Sequence, residues 1–143
     1  MAWEFHVGTE SYIKYQIVIS IGVPRIISLD GPYKGPAQDG SIMVETLAPR
    51  MGENETALAD KQYRFVEHAI TPLSGHRYEL TEAENSFNAD VYSIRQSVER
   101  VNSRLENFSL LKFHSWPYSV QFHALCMQAI GKLVNLSFII KPL

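Results

Sequence analysis

Apolar and polar positions interleave from Tyr12 to Ser20, where Ile13, Tyr15, Ile17 and Ile19 take every second place. A period of two in a run rich in β-branched and aromatic residues predicts a β-strand. Gly22-Val23-Pro24 reads as a turn and Arg25 to Leu29 as a second strand. So short a connection predicts an antiparallel hairpin, because a parallel pair needs a crossover of about a dozen residues or more. Trp3, Phe5 and Val7 alternate in the same way. Gly31 to Pro36 reads as a loop, and Asp39, with Ser41 as the alternative, as the N-cap of a short helix ending before Pro49. Thr56 to Ala59 is a short apolar run closed by Asp60, a third strand candidate. Ala69-Ile70-Thr71-Pro72-Leu73 is a further apolar segment, ended by proline and Ser74-Gly75.

Beyond residue 80 the period lengthens. Thr81-Glu82-Ala83-Glu84 has the pattern of a capping box, in which Thr and Glu each satisfy an orphan backbone donor of a helix start. Ile94, Val98, Val101, Leu105 and Phe108 step by four, three, four and three, one continuous helical stripe to about Glu106. A last helix from about Ser119 is expected to bury Phe122, Cys126, Ala129, Ile130 and Leu133. Two hairpin strands, a helix, a strand and then mainly helices predict a small mixed α/β sheet covered by helices. No internal boundary or repeat shows, so residues 1–143 read as one domain.

Composition narrows the function. The chain is 45% hydrophobic and 20% charged, which excludes disorder as its main description. A net charge of −2 removes an overall cationic footprint for nucleic acid, so any such contact comes from a local cluster. The single cysteine, Cys126, excludes a disulfide framework and a Cys-rich zinc module. His114, His123 and Cys126 have no fourth partner at zinc spacing and are expected to serve in packing or at the surface. The start lacks a basic segment followed by an apolar run, so an intracellular protein is expected, nuclear if the source is eukaryotic. Val120 to Leu143 is broken by Gln121, His123, Gln128, Lys132 and Asn135, which argues against a membrane span. Sequons begin at Asn54, Asn107 and Asn135 and carry no meaning without a secretory route.

Two carboxylates stand out by position. Asp60 closes a strand, and Glu99 lies about 100° round from Val98, at the edge of the long stripe. Carboxylates from distant parts of a chain can hold Mg²⁺ through hard oxygen ligands, and two such ions can clamp the attacking and leaving oxygens of a phosphodiester. Spacing alone equally allows a turn-forming Asp60 and a solvated Glu99 paired with Arg95. Arg95, Arg100 and Arg104, with Lys112, put positive charge on or near the same helix, as phosphate contacts or as a solvated face.

Leu58-Ala59-Asp60-Lys61-Gln62-Tyr63 resembles the LADKGY segment of the DDE-superfamily endonucleases, the transposase family related to Harbinger-type and IS4/IS5-like elements. The run from Ile94 to Leu105 is similar to that family's R-x-x-VE-R-x-x-x-RL helix, and Ile70-Thr71-Pro72 to its TP strand end. Tyr15-Gln16 with Gly31-Pro32-Tyr33-Lys34-Gly35 and Asp39 resembles its KYQ hairpin and GPYKG-x-x-xD helix start.

The resemblance covers nearly the whole chain in order. It implies an RNase H-like fold, truncated at the N-terminus, with an Asp-Asp-Glu set of metal ligands. Asp60 matches the second ligand and Glu99 the third, with 38 residues between them. Asp39 matches an additional aspartate whose role is capping. Mg²⁺ or Mn²⁺ is the implied cofactor, and DNA cleavage with strand transfer the implied ancestral reaction; on that reading the helix arginines Arg95, Arg100 and Arg104 are the candidate DNA contacts, Arg100 and Arg104 standing one turn apart. No Asp precedes Tyr12, so the first ligand is absent, and metal binding is expected to be weak and the chain inactive alone. Gln62 replaces a usual glycine, and Glu106 a usual lysine. The same resemblance allows a domesticated or decaying remnant that binds DNA, a second copy or a full-length transposase, or that has no role. In an RNase H-like sheet the first strand lies between the hairpin and the strand of the second Asp. Here the stretch from Trp3 to Val7 can fill part of that place, or the sheet is split, or another chain completes it.

Overall fold

The computed structural model describes residues 2–7, 11–23, 25–75, 79–112 and 116–141. Contacts divide the chain into two compact units: unit 1 is Met1–Ala37 with Ser97–Leu143, and unit 2 is Gln38–Gln96.

Unit 1 is built on three antiparallel strands, β1 (Ala2–Val7), β2 (Ser11–Ile19) and β3 (Ile26–Lys34), in the order β1-β2-β3. The hairpin expected from the alternation is β2 with β3. The N-terminal stretch adds a strand on the other side of β2, pairing Ala2 with Gln16 through to Val7 with Ser11. Strand β3 runs five residues past the expected Leu29, through the segment that reads as a loop. A bulge absorbs the Gly-Pro pair: Gln16 pairs with Asp30 and Lys14 with Tyr33, leaving Gly31 and Pro32 opposite Tyr15. Pro is tolerated here because β3 is an edge strand and a bulge needs no donor. Gly31 has φ +136, and a Cβ would lie 2.7 Å from Tyr15 Cδ1 and 2.8 Å from the Lys14 carbonyl, so the close approach requires glycine.

Helix α3 (Val120–Ile140), N-capped by the Ser119 hydroxyl accepting from Phe122 N–H, packs on this sheet. It buries His123, Met127, Ile130, Gly131, Val134 and Phe138 against Ile13, Tyr15, Ile17 and Ile26. That face is rotated from the expected one: Ile130 is shared, Cys126 is half-buried, and Phe122, Ala129 and Leu133 are exposed. Helix α3 is apolar nearly all round, so periodicity could not fix its rotation. Two polar anchors accompany the observed one. The Asn135 side chain accepts from Ile26 N–H at 2.8 Å and donates to its carbonyl at 2.9 Å, and Gln128 donates to the Leu29 carbonyl at 2.9 Å. They occupy backbone groups on the outer edge of β3, which would otherwise invite another strand. They also commit the amide of the third sequon to the fold. By length and composition α3 could cross a bilayer, yet its buried face covers a sheet as a core helix does.

At the centre of unit 1 the Tyr15 hydroxyl and His123 Nδ1 hydrogen-bond at 3.0 Å, both side chains fully buried. Their rings stack at 5.5 Å, and Trp116 meets the imidazole edge-on at 4.6 Å. His123 therefore serves in packing, as expected; His114 lies outside the described residues.

Unit 2 starts with α1 (Asp39–Thr46). Gln38, not Asp39, holds the extended N-cap position and makes no side-chain cap, while Asp39 sits in the first turn, where a carboxylate favours the helix dipole. Two short parallel strands, β4 (Ala57–Leu58) and β5 (Ala69–Ile70), form a separate sheet that packs with Met43, Ala59 and Tyr63. Helix α2 (Glu82–Glu106) begins at the expected capping box: Glu84 accepts from Thr81 N–H at 2.8 Å, and Thr81 Oγ accepts from Glu84 N–H at 3.3 Å. Asn88 clasps Leu73 as Asn135 clasps Ile26, accepting from its N–H at 2.8 Å and donating to its carbonyl at 3.0 Å. Along the expected stripe Val101 and Leu105 are fully buried, in the core of unit 1.

Candidate functional site

Asp60 leaves β4 in extended conformation and caps a 3-10 turn over Lys61–Tyr63, its Oδ1 accepting from Lys61 N–H at 2.6 Å. Ala59 N–H donates to the Ile70 carbonyl at 2.8 Å, so the parallel pair fixes the backbone just before the acid. Tyr63, 2% exposed, anchors the far end of the turn in the unit 2 core. Gln62 is exposed on this turn.

The second carboxylate oxygen of Asp60 meets Arg95 Nη2 of α2 at 3.4 Å, with the two side chains 37% and 20% exposed. Of the expected site residues, the structure therefore brings Asp60 and Arg95 together. Arg95 is the partner of Asp60, not of Glu99. Glu99 and Arg100 are exposed on α2. Arg104 is turned onto α3: it donates to Ser137 Oγ at 2.9 Å and to the Lys141 carbonyl at 2.6 Å, and its guanidinium lies 4.1 Å from the Phe138 ring centre. Its charge closes the C-terminal end of α3, where orphan carbonyls need donors. Asp60 belongs to unit 2 and Glu99 to unit 1.

A model of the DDE superfamily endonucleases matches residues 2–137. The chain belongs to that family. No curated protein and no solved structure matches it.

For a DDE endonuclease the donor set around Asp60 is thin. Among the described residues no three His, Cys, Asp or Glu side chains gather as a group that could hold a metal ion. Both Asp60 oxygens already accept hydrogen bonds, one from a backbone amide and one from a guanidinium. The only acid on β1 is Glu4. Among the described residues, those around Asp60 do not fit a resident two-ion centre.

Beside Asp60 lies a feature that pattern reading passed over. Lys61, Arg64 and Phe65 are exposed on or just after the turn, and the Arg64 guanidinium stands 4.7 Å from the Phe65 ring centre. The one available signal was an aromatic residue set among polar ones outside any period.

Proposed function

We propose that the chain is part of a DDE transposase or endonuclease catalytic domain of Harbinger-type, IS4/IS5-like ancestry, built on an RNase H-like plan. Its ancestral reaction is Mg²⁺- or Mn²⁺-dependent cleavage and strand transfer at DNA phosphodiesters. The observation that carries the reading is the family match over residues 2–137, with Asp60 at the end of a short parallel strand. The antiparallel β1-β2-β3 order supports the fold assignment, because β1 lies against the hairpin on the side where such a sheet has its first strand.

On this reading Asp60 and Glu99 stand at the second and third metal-ligand positions. Arg95 and Glu99 are four residues apart on α2 and so share a face of that helix. With no Asp on β1, divalent cations bind weakly and the chain does not cleave DNA alone. Arg100 is the DNA-backbone contact that the reading keeps, since Arg95 and Arg104 are engaged within the protein. The protein acts inside the cell, in the nucleus if the source is eukaryotic. A remnant retained for binding DNA, another copy or a full-length transposase is the second reading, favoured by the thin donor set.

The test is incubation with supercoiled plasmid in Mg²⁺ or Mn²⁺, comparing wild type with Asp60→Ala and Glu99→Ala. No cleavage by any of the three is expected. Cleavage by wild type that both substitutions abolish would overturn the assigned inactivity and establish the two carboxylates as ligands.

A further inference from the structure

The largest exposure of any big apolar side chain among the described residues is that of Phe65, at 89%. In the sequence it is flanked by Lys61, Gln62, Arg64 and Glu67, all exposed, with Val66 half-buried beside it. The backbone is not loose. Tyr63 N–H donates to the Asp60 carbonyl at 2.9 Å, Arg64 N–H to that of Lys61 at 3.2 Å, Val66 N–H to that of Tyr63 at 2.9 Å and Ala69 N–H to that of Val66 at 3.2 Å. With Tyr63 buried and Val66 packed beside it, the turn presents Arg64 and Phe65 outward on a fixed frame. Arg64 is steadied over the ring, with Nη1 3.5 Å from Ser74 Oγ. Glu67 supplies the opposing charge of the segment, 4.0 Å from His68 Nε2.

We propose that Phe65, backed by Arg64 and flanked by Lys61, is a stacking platform for an unpaired base of DNA next to Asp60. A rigid exposed ring with cations beside it matches the chemistry of a nucleotide, which offers a π face with a phosphate nearby. The exposed cations Lys61 and Arg64 at its flanks favour a nucleotide over an apolar protein partner, whose hot spots sit within a desolvated patch. A paired base presents no face, so the platform selects single strands, tails or frayed ends over blunt duplex. The inference rests on the reading that the chain acts on DNA, but it requires no metal ion.

The experiment measures binding of a fluorescent single-stranded oligonucleotide, a tailed duplex and a blunt duplex to the full chain in EDTA. Wild type, Phe65→Ala, Phe65→Trp and Arg64→Ala are compared, with circular dichroism as the fold check. The expected result is tighter binding to the single-stranded and tailed probes, weakened about tenfold by Phe65→Ala and preserved by Phe65→Trp. Loss of affinity in Arg64→Ala, smaller than that in Phe65→Ala, is also expected. A 2-aminopurine in the tail is quenched by wild type and not by Phe65→Ala, a signal that a purely structural phenylalanine would not give. Equal binding by Phe65→Ala and wild type, or no binding of unpaired DNA by wild type, overturns the proposal. The plasmid assay judges the metal ligands separately: binding through Phe65 without cleavage leaves the platform standing, and cleavage with unchanged Phe65→Ala binding removes the platform alone.

Discussion

Replacing Tyr15 by Phe tests whether the buried Tyr15–His123 pair holds unit 1 together. The substitution keeps the ring that stacks on the imidazole at 5.5 Å and removes only the hydroxyl at 3.0 Å from Nδ1. His123 is 1% exposed, so solvent does not replace the lost partner. Deleting one partner of such a bond costs about 1–3 kcal/mol. Urea unfolding followed by circular dichroism at pH 7.5 should show a midpoint lower by about 1 M, for a cost near 2 kcal/mol and an ordinary denaturant slope. His123→Leu should cost at least as much, because it also removes the edge contact with Trp116. Tyr15→Phe with His123→Leu replaces both polar groups, so its cost should fall short of the sum by about 1–2 kcal/mol. Burial also pushes the His123 imidazole below its usual value. The unfolded chain therefore takes up this proton first, and stability present above about pH 6.5 is lost as pH falls toward the lowered folded value. His123→Leu should flatten that slope. A Tyr15→Phe cost under about 0.5 kcal/mol, with strict additivity in the double variant, would refute the reasoning.

Gly31→Ala should destabilise by about 2–3 kcal/mol or more in the same assay, because φ +136 is strained for any side chain and the Cβ meets Tyr15 and the Lys14 carbonyl. Arg104→Ala should cost about 1–2 kcal/mol and speed amide exchange in the last turn of α3; Arg104→Lys should recover less than half, since an ammonium cannot make both bonds and cover Phe138. Unchanged exchange from Ser137 to Ile140 would count against that clasp. Thr81→Ala should cost about 1 kcal/mol at neutral pH. The Thr81 backbone N–H, and then its hydroxyl, hold the Glu84 carboxyl below its ordinary value. That contribution is present above about pH 4.3 and is lost as pH falls through the lowered value, so Thr81→Ala should show a shallower acid dependence below pH 4.3.

Local signals with a single physical meaning were legible in the chain itself. The β2–β3 hairpin, the Thr81–Glu84 box and the Val101–Leu105 stripe each follow from a period or a cap, and the structure contains all three, although Lys14 and Gln16, the polar positions of β2, are buried as well. Signals with two solutions were not legible. Gly31-Pro32 can make a loop or a bulge, and only the close approach of Tyr15 selects the bulge. A helix with apolar residues on most of its faces can bury any of them, and the rotation of α3 goes with the Asn135 clasp on a strand 109 residues earlier. At the candidate site, Asp60 could be singled out as a strand-closing acid. Its partner could not, because Arg95 lies 35 residues away and helical spacing offered Glu99 as the nearer choice.

The clasp of Asn135 on Ile26 has a consequence for how the protein is made. Ribosomes add about 5–20 residues per second, so the 109 positions between these partners take about 5–20 s to translate. Throughout that interval the hairpin of the nascent polypeptide carries a bare outer rim. Residues 38–96, by contrast, emerge as one uninterrupted stretch and contain all the strand partners of β4 and β5. A message ending before codon 135 would leave the rim permanently open, and its product would be a substrate for chaperones and an aggregation seed.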